Sequence, residues 1–145
     1  MDRLPLYLLN LGLLTVFAVF GVYSLYDFFD TELPSIWVFL GQLLFVTFID
    51  DVWFYFAHRY MHQNKYLLKK VHSIHHRAHT PFPLEYLYVH PFEWMLGIIG
   101  TFAGYLLILL VMPLNIYAFW AFALLRNLHE IHIHSDLNLP FLKNV

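Results

Sequence analysis

Four apolar stretches divide the chain, and polar residues are concentrated between them. The stretches cover residues 4–26, 36–57, 94–112 and 114–128. The first three are close to the roughly 20 residues that a helix needs to cross a bilayer. The fourth is shorter, so we expect it either to continue through 129–134 or to cross only part of the bilayer beside the third. The pattern predicts an all-α integral membrane protein with about four transmembrane or partly spanning helices.

The composition agrees with this prediction. Of the 145 residues, 60% are hydrophobic and 12% are charged, whereas soluble domains carry about 25% charged residues. No small-residue cleavage site follows the first stretch, which we therefore interpret as a retained span. The lack of cysteine excludes disulfides and thiolate metal sites. No glycine-rich phosphate loop or basic stripe indicates a nucleotide or nucleic acid. We expect residues 1–145 to form a single domain.

The distribution of charge predicts an orientation. If all four stretches cross, the N-terminus, residues 58–93 and the tail share one side, and the two remaining loops share the other. All eight basic residues lie on or near the first side: Arg3, Arg59, Lys65, Lys69, Lys70, Arg77, Arg126 and Lys143. The positive-inside rule then predicts that this side, with all ten histidines, is cytoplasmic. The membrane would be the endoplasmic reticulum in a eukaryote or the inner membrane in a bacterium.

Histidines are crowded at this predicted cytoplasmic surface, with six of the ten between residues 58 and 79. A lone interfacial histidine is usually an ordinary surface residue. Here, however, clusters recur at spacings that place imidazoles on one helical face, and neutral imidazole is the commonest protein metal ligand. The candidate ligands are His58 and His62, then His72, His75 and His76, then His129, His132 and His134, with His79 and His90 as further candidates.

So many imidazoles exceed the needs of one ion, so we expect two. Dinuclear sites rich in histidine and without thiolate suit iron, although zinc is not excluded. Asp51 and Tyr55 lie on the helical stripe of the first histidine pair, and we take them as candidate catalytic side chains. A carboxylate in a span costs about 2.5–3.5 kcal/mol, so we expect Asp51 to accept a hydrogen bond from a ligand histidine. Asp50 fits a paired interfacial acid better. Glu85 and Glu93 could serve either purpose.

The histidine motifs resemble those of a known superfamily. HRYMH at 58–62 matches the HxxxH motif, and HSIHH at 72–76 matches the HxxHH motif, of the fatty acid hydroxylase/sterol desaturase superfamily. The segment HRAHTPFPLEYLYVHPFE at 76–93 is similar to the one that follows HxxHH in C-4 methylsterol oxidases, with Pro-Phe, Glu-x-x-Tyr and His-Pro-x-Glu at the same spacing. The resemblance covers residues from about 36 to 140.

The resemblance implies a non-haem diiron centre that uses O2 to hydroxylate or desaturate a membrane lipid, with a sterol suggested by the 76–93 match. Electrons would come from an external donor such as cytochrome b5 or a ferredoxin with its reductase. The iron ligands implied by the motifs are His58, His62, His72, His75 and His76. His134 resembles a later histidine of the superfamily, while His129 and His132 are candidates by position only.

The superfamily also has a final HxxHH motif downstream, and this sequence ends at Val145 as that motif would be approached. We therefore expect a C-terminally incomplete domain, or a relative without the motif, whose second iron lacks ligands. A metal-binding but catalytically incomplete protein is one alternative. A haem-binding electron-transfer protein is the other, although haem ligands normally face each other within a span. Candidates to line a lipid path are Trp53, Phe54, Phe56, Trp94 and Trp120.

Overall fold

The computed structural model describes residues 3–77 and 83–134. Most of these residues are helical, and the two strands among them have two residues each. In chain order the elements are α1 (Leu4–Leu25), β1 (Phe29–Asp30), α2 (Ile36–Gln63), α3 (Lys65–Lys70), α4 (Pro91–Leu109), β2 (Leu114–Asn115) and α5 (Ile116–His134). Three 3₁₀ turns lie between them, at Tyr26–Phe28, His72–Arg77 and Pro83–Leu87. The predicted all-α class is confirmed.

Three helical segments are long and apolar enough to cross a membrane, namely Leu4–Phe28, Ile36–Gln63 and Pro91–Leu109. They correspond to the first three predicted stretches. The fourth stretch forms α5, which continues through His134. This is the first of the two predicted alternatives. The second half of α5 contains several polar residues, and α5 is not among the segments that are apolar enough to cross a membrane.

Local sequence explains where the helices begin and end. Ser35 caps α2, its hydroxyl accepting a hydrogen bond from the Val38 amide at 3.3 Å. Asn64 ends α2 and caps α3, because its side-chain oxygen accepts bonds from the amides of Tyr66 and Leu67. Such caps satisfy amides that have no partner within the helix. The turn at Asn64 sends the chain back towards the end of α2 and the first histidine pair.

The core forms where α4 lies against α2. Glycine permits this close approach, because a Cβ at Gly100 would lie 2.9 Å from both Asp50 Oδ1 and Trp53 Cβ. A Cβ at Gly104 would lie 3.2 Å from the Val46 backbone. Buried Tyr105 continues the interface into an apolar cluster shared with α5. Small residues that let two backbones approach are common at helix contacts in membranes.

Contacts at the two ends of the bundle confirm the predicted grouping of the loops. At one end β1 pairs in parallel with β2. At the other, Arg3 binds the Glu85 carboxylate and the Arg77 carbonyl, so the start of α1 lies beside the histidine-rich segment. Asn10, fully buried, strengthens this connection by donating hydrogen bonds to the carbonyls of Leu87 and Val89.

Candidate metal centre

Three histidines from two segments converge through the same ring atom, and a fourth contacts one of them. The Nε2 atom of His62 lies 3.1 Å from that of His58 and 3.0 Å from that of His72. The Nε2 atom of His76 lies 2.9 Å from that of His72. The first pair comes from the last turns of α2 and the second from the 3₁₀ turn that follows α3. Available ligand atoms of His58, His62 and His72 all lie within 4.8 Å of one another.

These separations fit a shared metal ion. Imidazole nitrogens bind zinc at about 2.0–2.1 Å, so two ligands at 90–109° around an ion would lie roughly 2.8–3.4 Å apart. The observed separations of 2.9–3.1 Å lie within that range. Haem axial ligands, in contrast, lie on opposite faces of a macrocycle. Direct contact between these rings therefore favours a non-haem ion.

An acid on α4 orients the central ligand. His72 is fully buried, and its Nδ1 lies 2.7 Å from Glu93 Oε1. Because a carboxylate accepts hydrogen bonds, Nδ1 donates and the Nε2 lone pair points at the other three imidazoles. Carboxylates that hold ligand histidines in this way raise their basicity and fix their rings. Of the two acids whose role the sequence left open, Glu93 therefore contacts a histidine, whereas Glu85 forms an ion pair with Arg3.

A second pair of histidines lies beside this cluster. His134, at the end of α5, has its Nε2 3.3 Å from the Nε2 of His75. Its Nδ1 lies 2.7 Å from the Glu130 carbonyl oxygen, which must accept the hydrogen bond. As in His72, the hydrogen bond at Nδ1 orients the ring of His134 and leaves its Nε2 available to a metal. The rings of His75 and His76 are 5.6 Å apart, so the two groups are adjacent.

The imidazoles of His72 and His75, which lie outside the spans, are held in the neutral form that metals require. Burial, followed by the neighbouring imidazoles, lowers the pKa of His72 from 6.5 to about 3. The same causes, with His134 as the nearest contributor, lower the pKa of His75 to about 4. Both rings are therefore neutral near pH 7, with lone pairs available for coordination.

The local structure of the second motif differs from the prediction. Residues His72–Arg77 form a 3₁₀ turn and not an α-helix. In a 3₁₀ turn residues three apart eclipse, yet His72 and His76 still meet through their long side chains. The spacing therefore predicted the contact between His72 and His76, but the helical backbone conformation predicted with it was wrong. His79 lies outside the described residues.

Asp51 and Tyr55 are not placed at the histidines. Asp51 is exposed, and within residues 3–77 and 83–134 no hydrogen bond joins it to a histidine. Tyr55 is also exposed and accepts a hydrogen bond from Arg59 at 3.0 Å. The predicted hydrogen bond from a ligand histidine to Asp51 is therefore corrected, since Glu93 makes it. The orientation of α2 about its axis explains the exposure of Asp51, because the face of α2 that packs on α4 carries Asp50.

The remaining histidines have different environments. His129 is exposed on α5, and His132 is partly buried. Their assignment as ligands stays a prediction. His90 caps α4, with its Nδ1 accepting a hydrogen bond from the Phe92 amide at 3.1 Å. Its ring is thus used in helix formation.

A cavity of about 550 Å³ runs from the histidines into the bundle. Its walls come from α1, α2, α4 and α5, and its lining is mainly apolar. The residues at its histidine end are His58, His75, Tyr86, Glu93, Glu130 and His134. Among the predicted lining residues, Phe54, Trp94 and Trp120 are present. Trp53 instead donates to the Leu96 carbonyl at 2.8 Å, and Phe56 is exposed.

Two features of this cavity were not predicted from the sequence. Glu130 lies four residues before His134, and this spacing could have indicated contact on one helical face. Arg126, Asp50 and Thr101 form a polar group in the cavity wall, where Arg126 Nε donates to Asp50 Oδ2 at 2.9 Å and Thr101 to Oδ1 at 2.8 Å. No local signal connects these three, because they lie on different helices.

Comparison with known proteins identifies the family. A family model described as fatty acid hydroxylase matches residues 43–145. The chain belongs to the fatty acid hydroxylase family. The match includes most of α2, both histidine motifs, α4 and α5, and therefore every residue of the two histidine groups.

Several curated proteins share this family's region with the chain. Methylsterol monooxygenase 1 of Gallus gallus is 32% identical over 109 residues, which cover 75% of this chain and 35% of that protein. Very-long-chain aldehyde decarbonylase GL1-9 of Oryza sativa subsp. indica is 37% identical over 110 residues, covering 74% and 41%. Sphinganine C4-monooxygenase 2 of Arabidopsis thaliana is 37% identical over 112 residues, covering 76% and 41%. The chain thus spans less than half the length of these fatty acid hydroxylase relatives. No solved structure matches it.

Proposed function

We propose that this protein oxidises a membrane lipid with O2 at a histidine-held non-haem diiron centre. One observation carries the proposal: the Nε2 atoms of His58, His62 and His72 converge beside an apolar cavity that His58 lines. The names of the relatives, two monooxygenases and an aldehyde decarbonylase, support lipid oxidation. The family and the apolar helices support a membrane enzyme.

The described residues offer unequal donor sets for two ions. The first set contains His58, His62 and His72, whose ligand atoms all lie within 4.8 Å of one another, with His76 beside His72. The second contains His75 and His134, with His129 and His132 as predicted additions. Bound there, an iron pair supplies the activation of O2. The sequence shows no flavin or nicotinamide motif, so we expect electrons from an external donor such as cytochrome b5 or a ferredoxin with its reductase.

The chain's own residues prepare the site for this chemistry. Glu93 and the Glu130 carbonyl hold two rings with Nε2 directed inward. The apolar walls of the cavity exclude water and receive the lipid, whose entry from the bilayer is favoured by burial of its apolar surface. Large hydrophobic side chains cover the outside of the spans. The predicted cytoplasmic location of the histidine end would put the site within reach of a soluble electron donor.

Metal content of the detergent-purified protein is the direct test. We expect close to two irons per chain, loss of most bound iron in His72→Ala, and a decrease of up to one iron in His134→Ala. The matched control is Leu128→Ala, which removes an exposed side chain of the same helix outside both donor sets and which we expect to retain iron. Wild-type protein that holds no iron after loading would contradict the diiron assignment.

Turnover requires a second measurement. Iron-loaded protein supplied with a reductase system, O2 and lipids extracted from the host membrane should yield lipids that are 16 mass units heavier, or 2 units lighter, by mass spectrometry. His72→Ala is the negative control. Iron binding without any oxidised lipid would favour a second function, a metal-binding protein that is catalytically incomplete. The smaller second donor set among the described residues is the observation that favours this alternative.

A further inference from the structure

The cavity contains a polar group far from the histidines. Asp50, Thr101 and Arg126 come from α2, α4 and α5, and all three lie at or beside the cavity wall. Each lies eight residues along its helix from a residue of the histidine end, which corresponds to about 12 Å of helical rise. The three pairs are Asp50 with His58, Thr101 with Glu93, and Arg126 with His134.

The hydrogen bonds within this polar group leave part of Arg126 available. Both carboxylate oxygens of Asp50 are used, one by Thr101 and one by Arg126 Nε. Among the described residues, Nε is the one guanidinium nitrogen with a hydrogen-bond partner. The Arg126 side chain is 25% exposed and lines the cavity. Its terminal nitrogens can therefore donate to a molecule inside the cavity.

An ion pair that only held the helices together would not need guanidinium nitrogens that face a cavity without a partner among the described residues. An ion pair in an apolar environment costs free energy when some of its donors lack hydrogen-bond partners, and an aliphatic side chain could pack the three helices at lower cost. Gly97 faces the same place, since a Cβ there would lie 3.8 Å from Arg126 Nη2 and 4.0 Å from Phe54. The missing side chain at Gly97 keeps the space beside Nη2 open.

We propose that Arg126 binds a neutral oxygen atom of the lipid substrate, a hydroxyl or carbonyl, about 12 Å along the cavity from the histidines. This inference rests on the proposed function, and it names the class of lipid. Asp50 already balances the charge of Arg126, so a carboxylate would add an uncompensated negative charge to the cavity. Glu93 and Glu130 line the same cavity and further disfavour an anion. The carbon to be oxidised would lie well away from the recognised oxygen.

Lipid binding without turnover tests this inference. Retention of tritiated 1-hexadecanol by the detergent-purified chain is measured by scintillation proximity, with unlabelled hexadecanol, hexadecane or hexadecanoate as competitor at equal micellar mole fraction. A hydrogen bond to a charged donor contributes about 1.5–3 kcal/mol, so hexadecanol should compete on the order of 10- to 100-fold better than hexadecane. Hexadecanoate should compete less well than the alcohol.

Two variants assign the preference to Arg126. Gly97→Ala places a methyl group beside Nη2 without replacing either partner of the ion pair, and Arg126→Lys keeps the positive charge but removes the forked donor. Both should lose most of the alcohol preference. Gly41→Ala is the matched control, because a Cβ there meets nothing within 4 Å, and it should retain the preference. If Arg126→Lys fails to fold, Gly97→Ala alone decides the matter.

The outcomes separate this inference from the proposed function. Equal competition by hexadecanol and hexadecane would overturn it, as would an alcohol preference that persists in Gly97→Ala. Stronger competition by hexadecanoate would identify an anion-binding pocket instead and would also overturn it. The assay uses no metal, O2 or reductant, so a failure of the diiron assignment would leave its result unchanged.

Discussion

At the scale of single residues, the site depends on acceptors that direct imidazole rings. His72 and His134 each place Nδ1 against an oxygen, at 2.7 Å in both cases. This leaves Nε2 of each ring directed at other histidines. The sequence predicted an imidazole cluster and selected Asp51 as the acceptor. Asp50 and Asp51 are adjacent in the sequence, and only the rotation of α2 about its axis distinguishes their surroundings. Asp50 is buried against Thr101 and Arg126, while Asp51 is exposed.

A direct comparison of two acids tests this residue-level assignment. Glu93→Gln removes the charge that orients His72, and loss of such a partner typically weakens metal affinity about 10- to 100-fold. Asp51→Asn should change iron affinity little, because its carboxylate touches no described histidine. Iron affinity is measured by competition with a chelator. Equal losses in the two variants would favour the sequence-based assignment of Asp51.

At the scale of elements, the turn between α2 and α3 decides whether the two histidine motifs meet. Asn64 closes one helix and caps the next, so that His72 returns to within 3.0 Å of His62. The close contact of α4 with α2 then brings Glu93 to His72. The turn is local in sequence and the contact of α4 with α2 is not, and together they produce a contact between residues 21 positions apart.

Removal of the Asn64 cap should affect both stability and metal binding. Asn64→Ala should lower the free energy of unfolding by about 0.5–2 kcal/mol and also weaken iron retention, because the orientation of the second motif depends on the turn. Ser35→Ala removes the cap at the opposite end of α2 and should lower stability by a similar amount. Iron retention in Ser35→Ala should remain normal. Thermal unfolding in detergent and iron analysis provide the two readouts, and equal iron loss in both variants would contradict a specific role for the turn.

The α2–α4 contact can be tested at its narrowest point. Gly100→Ala would place a Cβ 2.9 Å from Asp50 Oδ1 and from Trp53 Cβ, so the helices must separate. Overpacking of this kind typically costs about 1–3 kcal/mol. Gly41→Ala has open space and should leave stability unchanged or raise it by up to about 1 kcal/mol. The difference in thermal unfolding between the two alanine variants measures the effect, and similar unfolding temperatures would argue against tight packing at Gly100.

At the scale of the whole molecule, helices arranged across a membrane place the chemistry at one end. The two histidine groups, Arg3 and Glu85 share that end. The short strands β1 and β2 share the other. Between them runs a cavity that reaches from imidazoles through a polar group to aromatic residues. A lipid could therefore reach the site without leaving an apolar environment.

The absence of cysteine allows a clean test of orientation. Single cysteines introduced as Lys69→Cys and Glu32→Cys should be modified by a membrane-impermeant maleimide from opposite sides of sealed vesicles. The positive-inside rule predicts that Lys69→Cys reacts from the cytoplasmic side. The unmodified chain, which contains no cysteine, measures background labelling. Reaction of Lys69→Cys from the outer side alone would reverse the predicted orientation.

The sequence by itself determined the helical class, the apolar segments and the identity of the clustered imidazoles. These follow from hydrophobic length and from spacing along one helix, which are local properties. The tertiary structure alone decided that Glu93 orients His72, that His75 meets His134, and that Arg126 joins Asp50 in a cavity wall. Each of these contacts joins residues on different elements, and its geometry depends on how α2, α4 and α5 rotate and approach one another. Side-chain packing sets those rotations, and a one-dimensional pattern does not specify them.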